Sequence, residues 1–178
     1  MVASNENYSG SHAHGADHQI CDAPRACLGC LAVSGLGAEL TDSQVKALFE
    51  IAELRRLSKG DVLIAEGEYD DHLFTIARGE FEVTRGEGAD REVQLVRLGP
   101  GTITGELAFL DGLKRTASVR AVTDGSCVIA LKRECLEPML AVDPQLVYKV
   151  MKAILRSAHR TVGQMDKVYL DMVRYVQG

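Results

Sequence analysis

Residues 105–118 read GELAFLDGLKRTAS, and this stretch, called the cassette below, decides how the rest of the chain is interpreted. Gly105 lets backbone approach a ligand closely, and the residues after it can form one helical turn whose N–H groups point at an anion. Arg115 can donate to two phosphate oxygens at once, and Thr116 adds a hydroxyl. Glu106 repels a phosphate but can accept from a ribose hydroxyl. One anion and one hydroxyl in a compact pocket suggest a cyclic nucleotide.

The cassette resembles the phosphate-binding cassette of cyclic nucleotide-binding domains, in which G-E-[LI]-[AG] is followed, after about six to ten variable residues, by R-[STA]-A. The resemblance implies cyclic AMP as the ligand, with cyclic GMP as the alternative. It also implies a set of ligand-binding residues: Gly105, Glu106, Leu107, Ala108, Arg115, Thr116 and Ala117. The competing interpretation is an ordinary strand–loop–strand with an exposed Arg115, which the joint presence of all motif parts disfavours.

Size and composition indicate one domain with extensions. The 178 residues are 46% hydrophobic and carry a net charge of −5, with a pI near 5.5. An acidic chain is a poor general binder of nucleic acid or membrane surfaces. The sequence contains no apolar run of membrane-spanning length and no signal-peptide core, so we expect a cytoplasmic protein. Its five cysteines are then expected as thiols or ligands, not disulfides.

Residues 1–38 are expected to form a flexible arm that contains histidines and cysteines. The first 19 or so residues are rich in Ser, Asn, Gly and His, which is typical of disorder. His12, His14 and His18 could bind a metal, but a solvated tail is the interpretation we favour.

Three cysteines in this arm form a second pattern. Cys21, Cys27 and Cys30 could hold zinc or an iron–sulfur cluster if a fourth ligand were supplied. The run from Cys27 resembles the N-terminal cysteine region of fumarate–nitrate-type oxygen regulators, but its spacings come in the opposite order. The later cysteine of that family aligns near Ile129, whereas this chain has Cys127. These departures favour thiols that bind no metal or that lie at an interface.

The middle of the chain, residues 39–142, predicts an antiparallel β-roll. Thr41 and Gln44 form a capping-box pattern at the start of a short helix. From Leu54 onward, short alternating apolar runs are separated by glycine turns at about eight- to twelve-residue spacing, which is typical of a barrel or jelly roll. His72 is expected at a strand surface, without a chemical role. The predicted class is therefore α+β, an antiparallel β-roll with a short N-terminal and a long C-terminal helix, and the resemblance of the cassette implies that the roll is the jelly-roll cyclic nucleotide-binding fold.

The long helix is predicted over residues 143–178. Asp143 is a plausible N-cap and Pro144 suits the first helical position. Apolar residues recur three and four apart in a coiled-coil-like seam, namely Val147, Met151, Ile154, Ala158, Val162, Met165, Tyr169, Met172 and Val176. A helix of about 50 Å exceeds what one small roll can cover, so the seam needs a partner, most simply a second copy.

Residues 41–172 resemble the sensor half of the cyclic-AMP receptor protein family, including its dimer helix. The resemblance implies that Thr161 contacts the adenine base. In that family a Ser from the partner subunit often contacts the base as well, and this chain has Val162 at that position. Only one of the two base-contacting residues is therefore present. The alternative is that Thr161 faces solvent.

The expected function is regulatory and non-enzymatic. In the resembling family a helix-turn-helix domain follows the long helix, whereas this sequence ends at Gly178, so we expect either a sensor without this output domain or a fragment. The sequence contains no nucleophile elbow, HExxH or Walker A pattern. We therefore expect a cyclic nucleotide sensor that signals through a protein partner and not through nucleic acid. One alternative, from architecture only, is an accessory subunit of a cytoplasmic redox complex such as an NAD-reducing soluble hydrogenase. The other is an iron–sulfur or zinc sensor built on the arm cysteines.

Overall fold

The computed structural model describes residues 24–86 and 92–177, and the side chains of all these residues except 24, 164–172, 176 and 177. The helices are α1 (Pro24–Val33), α2 (Asp42–Glu50), α3 (Glu106–Asp111), α4 (Arg133–Leu136), α5 (Met139–Val142) and α6 (Pro144–Gln177). The strands are β1 (Glu53–Leu57), β2 (Val62–Ile64), β3 (His72–Arg78), β4 (Phe81–Gly86), β5 (Glu92–Leu98), β6 (Ile103–Thr104), β7 (Ser118–Ala121) and β8 (Ser126–Lys132). Within the described ranges, no helix has the length and apolar character needed to cross a bilayer.

The strands form two four-stranded antiparallel sheets, which confirms the predicted roll. One sheet has the order β1-β8-β3-β6 and the other the order β2-β7-β4-β5. β8 is central in the first sheet, where Ala130 pairs with Glu53 on one side and with Phe74 on the other. β6 has only two residues and was not predicted, because Ile103 and Thr104 are too few to show an alternating pattern.

Strand alternation divides the core into two clusters. On β3, Leu73 points toward the helices, whereas Phe74 and Ile76 point between the two sheets. β8 repeats this division, with Ile129 on the helical side and Val128 on the inter-sheet side. Because successive strand side chains point to opposite faces, one buried strand serves both clusters at once. The helical cluster also contains residues of α1, α2, α3 and α6, so it joins the cassette helix to the long helix.

The predicted capping box at the start of α2 is confirmed. The Thr41 side chain accepts from the backbone N–H of Gln44, and the Gln44 side chain accepts from the backbone N–H of Thr41. Gln44 then reaches the long helix: its Nε2 donates to Asp143 at 3.0 Å, and its Oε1 accepts from Lys149 at 2.8 Å. A local sequence motif thus also fixes where α6 begins.

From residue 24 onward the N-terminal arm is part of the folded core, whereas a flexible arm was expected through residue 38. Cys27, Leu31 and Leu36 are buried in the helical cluster. The backbone N–H of Gly35 donates to the carbonyl of Gly101, which ties the end of α1 to the roll. The polar residues before Cys21 concealed the apolar face of α1, because this helix has only ten residues, or about three turns.

The predicted seam of α6 is divided between the roll and the outside of the molecule. Val147 and Ile154 are buried in the helical cluster, whereas Met151 and Val162 are exposed. The side chains of Met165, Tyr169, Met172 and Val176 lie outside the described residues. The first half of the helix therefore packs on its own roll, and pairing with a second copy stays a prediction.

Two corner glycines allow a direct test of the packing. Gly60 and Gly79 have φ values of +94° and +86°, but only Gly79 is crowded: a Cβ there would lie 2.2 Å from the Ser126 hydroxyl and 2.9 Å from the Ser126 Cα. Gly60→Ala should lower the free energy of unfolding by about 1–2 kcal/mol through backbone strain alone. Gly79→Ala should cost at least about 1 kcal/mol more, because packing adjusts only partially. Urea denaturation measures both, and equal losses would contradict the packing described here.

Candidate functional site

A glycine turn and a short helix build the cassette. β6 ends at Thr104, Gly105 has a left-handed φ of +85°, and α3 begins at Glu106. A side chain at position 105 would lie 2.7 Å from Nη1 of Arg115 and 3.0 Å from the carbonyl oxygen of His72. Conformation and space therefore both require glycine. α3 is six residues long, which confirms the short helical turn predicted after Gly105.

Arg115 lies at the centre of the site with 4% of its surface exposed. Its Nη1 donates to the carbonyl of Gly105 at 2.8 Å, and its Nη2 donates to the carbonyl of His72 at 2.6 Å and to Oδ2 of Asp70 at 2.5 Å. Its Nε is buried and has no hydrogen-bond partner among the described residues. The guanidinium is thus oriented while its Nε remains available to an anion. The alternative of an exposed arginine in an ordinary loop is wrong.

Asp70 anchors Arg115 and is itself held by His72. Nδ1 of His72 lies 2.5 Å from Oδ1 of Asp70, and Nε2 of His72 lies 2.9 Å from Nη2 of Arg55. Because a guanidinium only donates, Nε2 accepts, and Nδ1 carries the hydrogen that it donates to Asp70. His72, expected at a strand surface without a role, is therefore half-buried inside the network.

The charge state of Asp70 follows from its partners. Burial raises the pKa of Asp70, but the hydrogen bonds from His72 and Arg115, with the positive charge of Arg115, lower it more strongly. The net pKa lies well below the usual range of a carboxyl group. Asp70 is consequently ionised at neutral pH and balances the buried charge of Arg115.

Glu106, the predicted acceptor for a ribose hydroxyl, connects the cassette to the long helix. The hydroxyl of Ser157 on α6 donates to Oε1 of Glu106 at 2.6 Å, and Ser157 is itself buried. A carboxylate has two oxygens, so Oε2 of Glu106 can still accept another hydrogen bond. The structure thereby brings a predicted site residue into contact with a helix 51 residues further along the chain.

The other predicted residues differ in exposure. Leu107 and Thr116 are exposed, Ala117 is half-buried, and Ala108 is buried with its carbonyl accepting from Arg133 at 2.7 Å. Thr161 is exposed on α6. Its hydroxyl donates to the backbone carbonyl of Ser157 at 3.2 Å, one helical turn away, and so lies on the face that meets Glu106.

Sequence reasoning missed Asp70 and Ser157, and it assigned His72 no role. A carboxylate before a strand and a serine in a helix are common, and neither type of position marks a site. One signal could have identified Ser157. It is a polar residue on the face of α6 that packs against the roll, where apolar residues are usual.

A cavity of about 320 Å³ lies beside the cassette. It is lined by Tyr69, Asp70, Asp71, Gly112 and Arg133. Asp70 is the member that it shares with the Arg115 network, so the cavity adjoins the predicted phosphate position without containing it.

The structure describes two of the three cysteines predicted as metal ligands, Cys27 and Cys30. Cys21 and the three arm histidines lie outside the described residues. Within the described part of the chain, the one cluster of three ligand-type side chains is Asp70, Asp71 and His72. Two of its members are already engaged with Arg55 and Arg115. Cys27 and Cys30 are not part of that cluster, and a metal site that includes Cys21 stays a prediction.

Comparison with known proteins agrees with this geometry. Residues 54–143, just over half of the chain, match the model of the cyclic nucleotide-binding domain family. A CRP-like cAMP-activated global transcriptional regulator of Mycobacterium tuberculosis is 27% identical over 143 residues, which cover 80% of this chain and 63% of the regulator. A cGMP-dependent protein kinase of Caenorhabditis briggsae is 42% identical over 86 residues, which cover 48% of this chain and 11% of the kinase.

A solved structure shares the fold. A cyclic nucleotide-binding domain from Methylobacillus flagellatus superposes with a TM-score of 0.72 at 24% identity, covering 83% of each chain. The present chain spans less than two thirds of the length of the two curated relatives. Family match, roll and cassette geometry agree, and the chain belongs to the cyclic nucleotide-binding domain family.

Proposed function

We propose that the chain is a non-enzymatic regulatory module that binds cyclic AMP at the cassette and signals to a protein partner through α6. The observation that carries the proposal is the buried Nε of Arg115, which has no partner among the described residues. An unpaired buried donor costs about 1–3 kcal/mol. A phosphate oxygen that accepts from Nε removes this penalty and adds a charge-assisted hydrogen bond.

The remaining phosphate contacts come from residues around Arg115. The first N–H groups of α3, from Glu106 to Ala108, have no carbonyl one turn earlier in the helix to bind. Thr116 offers an exposed hydroxyl, and Ala117 leaves room for the ligand beside the backbone. Asp70 does not touch the ligand in this proposal; it positions the guanidinium.

Cyclic AMP is favoured over cyclic GMP by the extent of the similarity. The Mycobacterium tuberculosis regulator, which is described as cAMP-activated, aligns with 80% of this chain. The segment shared with the cGMP-dependent kinase is more similar but covers 48% of the chain. Cyclic GMP is the alternative ligand, and the titration described below compares the two.

Glu106 and Ser157 supply the route from ligand to helix. In the proposal, Oε2 of Glu106 accepts from the ribose 2′-hydroxyl while Oε1 keeps its bond to Ser157. Thr161 lies four residues further along α6, about 6 Å along the helix axis, and contacts the base. Ligand and helix thus share one carboxylate, so occupancy of the site changes the energy with which α6 packs.

The partner side of the proposal rests on the exposed part of α6. Met151, Leu155 and Val162 expose apolar surface that a second copy or a larger protein complex would cover. The acidic net charge supports a protein partner over nucleic acid or a membrane surface. A cytoplasmic location belongs to the same proposal.

Arg115→Ala should weaken cyclic AMP binding by about 2–5 kcal/mol, or roughly thirty- to several thousand-fold, because the phosphate loses its charged partner in a buried site. Isothermal calorimetry with cyclic AMP, cyclic GMP and 5′-AMP measures the change. Arg97→Ala is the matched control, because Arg97 is an exposed arginine of β5 outside the site. A loss under about threefold in a variant with unchanged thermal midpoint would remove Arg115 from the site.

The Glu106 assignment predicts a preference for ribose over deoxyribose. Wild-type protein should bind cyclic AMP about ten- to one-hundred-fold more tightly than 2′-deoxy cyclic AMP, which corresponds to one hydrogen bond to a charged acceptor. In Glu106→Ala the two ligands should bind equally, because the acceptor is gone. Competition titration of both ligands against both proteins gives four affinities, and these isolate the interaction energy between Glu106 and the 2′-hydroxyl. If the variant keeps the full preference, the hydroxyl is bound elsewhere.

Ser157→Ala should separate binding from signalling. Cyclic AMP should slow backbone hydrogen exchange in residues 144–163 of the wild type, and this protection should fall by at least about half in the variant, because the link to Glu106 is lost. Affinity should fall only about two- to ten-fold, as expected for one hydrogen bond. The control is His159→Ala, which changes an exposed residue of the same helix and should retain full protection. Undiminished protection in Ser157→Ala would contradict the route proposed here.

A further inference from the structure

A pair of thiols lies at the end of the roll opposite the cassette. Sγ of Cys27 on α1 and Sγ of Cys127 on β8 are 3.8 Å apart, although the residues are separated by 100 positions in the sequence. The two residues are 4% and 2% exposed. Side chains from two distant elements thus bring two sulfur atoms into contact.

A cavity of about 270 Å³ reaches both cysteines. Its wall also contains Cys30, which is half-buried, and the guanidinium-bearing Arg78. Arg56 also lines this cavity, so positive charge surrounds the path by which an oxidant reaches the sulfurs. Buried cysteines without access are inert, and it is the cavity that distinguishes this pair from ordinary core packing.

We propose that Cys27 and Cys127 form a peroxide-sensitive dithiol that closes to a disulfide between α1 and β8. One thiolate attacks a peroxide, so that an S–O bond forms, the O–O bond breaks and, after uptake of a proton, one water leaves. The second thiol then attacks the sulfenic sulfur; an S–S bond forms, the S–O bond breaks and a second water leaves. The two sulfurs lose two electrons in total, and the peroxide is reduced to two waters.

The local structure can accommodate this closure. The sulfurs must approach from 3.8 Å to about 2.05 Å. On the outer side of α1, Arg25 and Gly29 are exposed and nothing would lie within 4 Å of a Cβ at Gly29, so no contact at these positions holds the helix back from a small shift toward β8. β8 is held between β1 and β3 and provides the fixed side, with Cys127 opposite Arg56 and Arg78.

The thiol pair is spatially separate from the cassette. Cys127 pairs with Arg78 at one end of β3, whereas His72, which contacts Arg115, lies at the other end. Six residue-to-residue steps along β3 separate these ends by about 20 Å. The dithiol proposal therefore does not depend on the proposed nucleotide site, and the two can fail independently.

The test uses the full chain, purified in the reduced state and treated with one equivalent of hydrogen peroxide. Remaining thiols are alkylated after unfolding, and tryptic peptides are identified by mass spectrometry. Cys127 falls in the peptide 121–132, and Cys135 in the peptide 134–149. Cys27 shares the peptide 26–46 with Cys30, so the Cys30→Ala variant is needed to assign the sulfur.

We expect peptides 26–46 and 121–132 to be recovered linked, two hydrogens lighter than their sum and separable by dithiothreitol. The link should persist in Cys30→Ala and in the control Cys135→Ala, and it should vanish in Cys27→Ala and Cys127→Ala. Closing a loop of 100 residues should raise the thermal midpoint by about 5–15 °C in a dithiothreitol-sensitive manner.

Three results would overturn the proposal. The first is full alkylation of Cys127 after peroxide treatment, with no linked peptide. The second is a bridge between Cys27 and Cys30 within peptide 26–46. The third is a purified protein in which a metal bound to these sulfurs prevents the link from forming.

Discussion

The buried positive charge of Arg115 is the constraint on which the organisation of this end of the molecule depends. A guanidinium with 4% exposure is costly unless a countercharge and hydrogen-bond acceptors offset its burial. Asp70, the carbonyl of His72 and the carbonyl of Gly105 accept from Nη1 and Nη2, while Nε has no partner among the described residues. Residues 70–72, Gly105 and Arg115 must therefore converge within hydrogen-bond distance. This convergence requires glycine at position 105, because any side chain there would collide with the guanidinium.

The same convergence connects chemistry to packing. α3 follows the Gly105 turn directly, and its Phe109 is buried in the cluster that contains Leu146 and Ile154 of α6. Glu106 adds a polar contact to Ser157 at the same junction. Apolar burial holds the two helices together without directional preference, whereas the hydrogen bond depends on the orientation of one carboxylate. A ligand that reorients this carboxylate therefore acts on the part of the junction most sensitive to direction.

β3 and β8 connect the cassette to the opposite end of the roll. The two strands run antiparallel through the centre of one sheet, with His72 beside Lys132 at one end and Arg78 beside Cys127 at the other. The cassette network occupies the first end, and the contact between Cys27 and Cys127 occupies the second. One pair of central strands thus supports both a predicted nucleotide site and a proposed redox-sensitive site, which are distant enough to be studied separately.

Local sequence patterns determined the features whose parts lie close together in the chain. The cassette is recognisable because its glycine, acid and arginine lie within eleven residues of each other, and the capping box of α2 needs only Thr41 and Gln44. Glycine turns and alternating strands predicted the roll, because backbone sterics and side-chain direction repeat over short distances.

Tertiary structure alone decided the features whose parts lie far apart. Asp70 is 45 residues from Arg115, Ser157 is 51 residues from Glu106, and Cys27 is 100 residues from Cys127. It also decided that α1 belongs to the core and that α6 turns Val147 and Ile154 inward while Met151 stays exposed. The physical reason is that a side chain's partners depend on how whole elements pack, and no short-range pattern in the sequence records that choice.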